Sequence, residues 1–128
     1  MNPPELKYSK EHEWVRIEAE GVVVVGITEF AVEELGDVVF LDLPAVGANV
    51  SQFSKLGEVE SVKAVSDIFS PVSGTVLERN QAVLDRPEDL NDEPYGKGWL
   101  LKVTLNDASQ LDALLTAEQY EEFIAAQD

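Results

Sequence analysis

From Gly57 to Phe69 the chain reads Gly-Glu-Val-Glu-Ser-Val-Lys-Ala-Val-Ser-Asp-Ile-Phe, with β-branched residues on both sides of Lys63. Two turns of the same kind bracket this stretch, Pro44-Ala-Val-Gly47 and Pro71-Val-Ser-Gly74, 27 residues apart. A segment confined in this way folds back on itself, so it is expected to form a β-hairpin with Lys63 near its tip. The paired turns also suggest a two-fold internal repeat. Tight hairpins ordinarily place Asn, Asp or Gly where the backbone needs positive φ. Here a lysine stands between Val62 and Ala64-Val65 instead, so something other than turn chemistry accounts for it.

The flanking sequence is mostly strand. His12 to Ile17 and Val22 to Ile27 read as two strands joined at Glu20-Gly21. Thr28 is an N-cap candidate for a short helix over 29–35, with acids in its first turn and Gly36 just past its end. Asp37 to Leu43 is short and apolar, which predicts a buried strand crossing the core. The run from Asp85 to Pro94 carries five carboxylates and two prolines in ten residues, and no regular element is expected there. Trp99 to Val103 returns to strand. Leu111, Leu114 and Leu115 then predict a two-turn helix capped by Ser109, and Thr116-Ala-Glu-Gln119 is a capping box opening a last helix under Tyr120, Phe123 and Ile124.

A chain of 128 residues that is 45% hydrophobic suits one domain spanning 1–128 with one core. Nine basic against 25 acidic residues leave a formal charge of −16, which repels phosphate, so nucleic acid and anionic membranes are poor partners. No apolar run reaches the roughly 20 residues that span a bilayer. Met1 to Pro4 offers no targeting segment, so a soluble, cytoplasmic protein is expected. The absence of Cys excludes disulfides and thiol chemistry, and the single His12 leaves no histidine cluster for a metal. Neither H-E-x-x-H, G-x-S-x-G nor a phosphate-cradling glycine loop occurs, so no active site is expected. Among six lysines only Lys63 has a position that argues against plain surface charge: a rigid hairpin holds it away from the body, as a covalent attachment point requires.

The run from Gly57 to Asp67, continuing Ile-Phe-Ser-Pro-Val-Ser-Gly74, closely resembles the lipoyl-lysine hairpin of the glycine cleavage system H proteins. So do Lys7-Tyr8, His12-Glu13-Trp14-Val15, Val25-Gly26-Ile27-Thr28, Leu35 to Phe40, and Asn91 through Pro94-Tyr95-Gly96 to Gly98-Trp99, in the same order. The resemblance runs from about Leu6 to Phe123. It implies a mainly β barrel-sandwich hybrid, two small antiparallel sheets related by a pseudo-two-fold, with flanking helices near 29–35 and at the C-terminus.

The function it implies is carriage. Lipoate in amide linkage to Lys63 would take the aminomethyl group left when a pyridoxal-phosphate glycine decarboxylase releases carbon dioxide, and pass it to an aminomethyltransferase. Dihydrolipoyl dehydrogenase would then reoxidise the dithiol, and a lipoate-attaching enzyme would install the group on a monomeric chain. In the family the loaded arm folds back against the N-terminal segment and the hairpin flank, where Glu13 and Asp67 are the matching acids for its amine; no metal is implied. Val65, Arg79 and Glu34 depart from the family pattern, and Glu34 lies on the surface that receives the arm. A lipoyl or biotinyl carrier of another complex is the rival reading, but it would lack the His12-Glu13-Trp14 and Pro94-Tyr95 blocks. An H-like lipoyl donor is a further alternative.

Overall fold

The computed structural model describes residues 2–19 and 21–126. Among the described residues nine strands, β1 (Lys7–Tyr8), β2 (Glu13–Ala19), β3 (Val22–Ile27), β4 (Val38–Asp42), β5 (Asn49–Val50), β6 (Lys55–Ser61), β7 (Val65–Phe69), β8 (Gly74–Arg79) and β9 (Leu101–Leu105), make two antiparallel sheets. The larger has the order β1-β2-β3-β9-β8-β5 and the smaller β4-β6-β7. Helices α1 (Glu29–Leu35), α2 (Gln81–Asp85), α3 (Glu88–Asp92) and α4 (Ala117–Ala126) are added at the edges. Among the described residues no helix is long and apolar enough to cross a membrane.

Four consecutive valines open β3 because both faces of the large sheet are covered there. Val23, Val25 and Ile27 enter the main core with Val59, Ile68 and Leu101. Val24 faces the other way, into a second cluster with Tyr8, Trp14 and Tyr120. A strand buried on both faces loses the polar alternation of a half-exposed one. The helix over 29–35 forms as expected: the Thr28 side chain accepts from the Ala31 amide at 3.3 Å, and Gly36 ends it at φ 81°. Of the turn at Glu20-Gly21, Glu20 lies outside the described residues, and Gly21 has φ 69°.

Several expectations need correction. β4 does not cross the core. It is an edge strand of the small sheet with a register shift between Val38 and Phe40, so Val39 and Phe40 are more than half exposed while Val38 and Leu41 point inward. The acidic stretch is not structureless, since it contains the end of α2 and the whole of α3. Its prolines lie outside α3: Pro87 is the N-cap with φ −55°, already a helical value, and Glu88 and Asp89 suit the positive end of the first turn. The segment before the last helix is a 3₁₀ helix over Ala108–Ala113, capped by Asp107 rather than Ser109. It stays short because Leu114 is extended and Leu115 bridges to Tyr8. The last strand begins at Leu101, two residues after Trp99. The capping box does form, with Gln119 N donating to Thr116 Oγ1 at 3.1 Å and Thr116 N to Gln119 Oε1 at 3.0 Å.

Candidate functional site: the lysine tip and the cleft behind it

β6 and β7 pair from Lys55↔Phe69 to Glu60↔Val65, which leaves Val62, Lys63 and Ala64 at the turn. None of the three has positive φ. The turn is closed by a side chain instead. Ser61 N donates to the Ala64 carbonyl at 2.8 Å, and Ser61 Oγ accepts from the amides of Lys63 at 3.3 Å and Ala64 at 3.1 Å. This explains why no Asn or Gly was needed. Ser61 is the residue that sequence reasoning missed, although serine at the first position of a four-residue turn was the available signal. Val62 N reaches the Asp37 carbonyl at 3.0 Å, which ties the tip to the loop before β4.

That loop is itself braced. Asn91 on α3 donates to the Gly36 carbonyl and accepts from Val38 N, both at 2.8 Å. Gly36 lies beneath the lysine: a Cβ there would stand 3.7 Å from Lys63 Cε, in a backbone conformation that L side chains rarely adopt. Among the described residues Lys63 makes no ion pair. Lys55, Lys97 and Lys102 all do, with Glu58 and Asp67, with Asp89, and with Glu18.

Behind the hairpin a cleft of about 510 Å³ runs between α1 and β7. Ile27, Leu35, Val59 and Ile68 give it an apolar floor, Phe30 and Ala31 form one wall, and Glu11, Glu13, Glu34 and Asp67 supply carboxylates. It lies within the size range of small-molecule sites, and its mixed lining, carboxylates beside apolar side chains, suits a flexible apolar arm ending in a cation. Glu13 and Asp67 therefore line one cleft, and Glu34 joins them; Lys63 stands at the tip of the strand pair that walls it.

The two acids differ in kind. Glu13 is 3% exposed; Ser9 Oγ donates to its Oε1 at 2.5 Å and Phe69 N to its Oε2 at 3.3 Å. Burial pushes its carboxyl up to about 8 in spite of those two donors. Asp67 is half exposed and shares Lys55 with Glu58, at 3.2 Å and 2.8 Å, and these two carboxylates hold the lysine above its ordinary pKa. Such an exposed pair contributes little stability. The other departures are structural: Val65 is 63% exposed beside the tip, and Arg79 ends β8 with its guanidinium donating to the Leu43 carbonyl at 3.4 Å. Among the described residues no group of three or more His, Asp or Glu side chains is placed to hold a metal.

Comparison with known proteins bears on the family and the fold. The profile of the Glycine cleavage H-protein family matches residues 6–127. The glycine cleavage system H protein of Geobacillus kaustophilus is 56% identical over 125 residues, covering 97% of this chain and 98% of that one. Its counterpart in Staphylococcus carnosus is 54% identical over 122 residues, covering 95% and 96%. The crystal structure of a glycine cleavage system H protein from Mycobacterium marinum superimposes with a TM-score of 0.90 at 43% identity, over 97% of this chain and 99% of that one.

Proposed function

This chain belongs to the glycine cleavage H-protein family of lipoyl carriers, and we propose that it is the lipoyl-bearing shuttle of a glycine cleavage system, with lipoate in amide linkage to Lys63 Nζ. It works as a monomeric single domain in the cytoplasm, serving a pyridoxal-phosphate glycine decarboxylase, an aminomethyltransferase and dihydrolipoyl dehydrogenase in turn, after a lipoate-attaching enzyme has modified it. The observation that carries the assignment is the tip: an exposed lysine without an ion pair among the described residues, on a turn that Ser61 clamps and Asp37 anchors.

The residues present fit the group. When attached, the dithiolane would supply a disulfide able to take up a one-carbon unit with two electrons, and the dithiol left after transfer would be reoxidised. The chain's part is to present, shelter and release. Gly36 supplies the left-handed turn beneath the lysine stem, and the partly exposed Phe30 and Ala31 of the cleft can cover apolar surface of the arm from water. Glu13 and Asp67 are the carboxylates for a cationic amine brought into the cleft. A cation leaving bulk water needs such partners, and a carboxylate gives it a charge-assisted hydrogen bond. Glu13 is better suited, because its surroundings exclude water and an incoming ammonium favours its ionised form. Covalent tethering keeps the one-carbon unit at high effective concentration for successive partners.

The test is intact-mass and peptide mapping of protein made in a lipoylation-competent host. One lipoyl group at Lys63, absent from Lys63→Arg with the fold unchanged, is expected. Lipoate on Lys55 or Lys97, or a Lys63→Arg chain that is still modified, would overturn the assignment.

A further inference from the structure

His12 precedes β2 at φ 73°, a left-handed conformation uncommon for residues other than glycine. Its ring is packed against three aromatic residues, Phe30 at a centroid distance of 4.9 Å, Tyr120 at 5.7 Å and Phe123 at 6.2 Å. Nδ1 lies 2.7 Å from Tyr120 Oη, which lies 2.8 Å from Thr28 Oγ1. Thr28 and Tyr120 are both fully buried. Three residues from the start of β2, the N-cap of α1 and the C-terminal helix α4 thus form one hydrogen-bonded chain.

Counting hydrogens gives that chain a direction. Thr28 Oγ1 already accepts from Ala31 N and has one hydrogen of its own to place. Its other partner among the described residues is Tyr120 Oη, so threonine donates to tyrosine; the reverse would leave a buried hydroxyl hydrogen unused. The single hydrogen of Tyr120 then goes to His12 Nδ1, which must carry a lone pair. The imidazole proton is left on Nε2. Burial raises the tyrosine pKa and lowers that of the histidine, although Glu11 and Glu34 pull the histidine the other way, so both groups remain neutral near pH 7. Nε2 has no hydrogen-bond partner among the described residues, and His12 lines the cleft with Phe30, Ala31 and Glu34.

We propose that His12 is a hydrogen-bond donor to the sulfur end of the arm docked in this cleft, with Tyr120 and Thr28 as positioning residues that keep its proton on Nε2. The inference rests on the reading that the lipoyl arm uses the cleft. The division of labour follows from donor and acceptor types. An ammonium offers only hydrogens, which carboxylates accept and an N–H cannot; a thiol or thiolate sulfur offers lone pairs, which an N–H can meet. It also gives the C-terminal helix a share in arm binding, although Tyr120 lies 57 residues beyond Lys63 in the chain.

The single histidine makes the experiment direct, because ¹⁵N-labelled imidazole signals can come only from His12. In the full chain, lipoylated and reduced to the dithiol, the nitrogen shifts should report Nε2–H. Docking of the arm, read independently from Overhauser contacts between arm methylenes and the Val59 and Ile68 methyls, should move the Nε2 proton resonance and slow its exchange roughly five-fold, the scale of one neutral hydrogen bond. Tyr120→Phe should release the tautomer preference and lower the docked share by roughly the same factor. Should that variant fold poorly, His12→Gly, which adopts left-handed φ freely and carries no side-chain donor, should keep the backbone spectrum and lower the docked share alike. A proton on Nδ1, or an Nε2 proton indifferent to an arm that those contacts place in the cleft, would overturn the inference alone. Absence of the contacts in every state would overturn the docking reading and this inference with it.

Discussion

Glu13 on β2 accepts a hydrogen bond from the backbone amide of Phe69 on β7 at 3.3 Å, so one buried carboxyl joins the large sheet to the strand that leads down from the lysine tip. The acid is nearly inaccessible and its pKa is pushed up to about 8, chiefly by burial. The folded chain therefore holds this proton more tightly than the unfolded chain, whose carboxyl titrates near 4.5. Between those values the unfolded state binds fewer protons, so this group makes stability fall as pH rises, by an amount on the order of a few kcal/mol. Urea unfolding at about pH 5 and about pH 8.5 should show this decline, and Glu13→Gln should flatten it. Equal slopes in the two proteins would mean that Glu13 is ionised in the fold at neutral pH.

The Ser61 clamp predicts a local effect. Ser61→Ala removes the acceptor for the Lys63 and Ala64 amides while the β6–β7 ladder remains. Amide exchange at those two positions should accelerate about ten-fold, and global stability should drop by no more than about 1.5 kcal/mol. Modification of Lys63 should slow, because the lysine is then presented over a wider range of directions. Unchanged exchange at the tip would show that the Ser61–Ala64 backbone bond is enough to hold the turn.

Gly57 sits where β6 shifts register and passes close to β4, and a Cβ there would run into the Asp42 carbonyl oxygen. That oxygen belongs to backbone and cannot move without breaking the Asp42↔Glu58 pairing. Gly57→Ala should cost about 3 kcal/mol or more by chemical denaturation. A loss below about 1 kcal/mol would mean that edge strand β4 yields easily.

Local signals were legible in the sequence wherever a side chain bonds its own neighbourhood. Thr28, Gly36 and the Thr116–Gln119 box each mark a helix end through contacts within three or four residues, and each forms as read. The turn at Lys63 was legible because the strands on both sides are paired almost up to it. What failed depended on long-range neighbours. Whether Val39 and Phe40 are buried is decided by β4 lying at an edge, which no pattern within 37–43 encodes. Leu111 and Leu114 suggested an α-helical face, but Leu115 is claimed by Tyr8, over a hundred residues away, and the helix stops. The cleft is of the same kind: Glu13 and Asp67 are 54 residues apart, and only the packing of two sheets gives them a shared wall.

Those two acids should not count equally in holding a one-carbon load. Once the amine of an aminomethyl group bonded to sulfur has lost its proton, the nitrogen lone pair can break the C–S bond, with the electron pair leaving on the thiolate and the one-carbon unit lost to water. A carboxylate beside the ammonium therefore prolongs retention by favouring the protonated form. Asp67 is half exposed and already shares Lys55 with Glu58, so its effect on a cation is screened and partly spent. Glu13 is enclosed and has no cationic partner among the described residues, so its ionised form gains most from an ammonium. With no aminomethyltransferase present, Glu13→Gln should therefore shorten retention of the load about ten-fold or more, the scale of one charge-assisted hydrogen bond, and Asp67→Asn only a few-fold. The double variant should remain folded and fully modified at Lys63. Equal effects of the two substitutions would contradict the role that burial plays here, and unchanged retention in the double variant would show that apolar cover alone keeps the load in place.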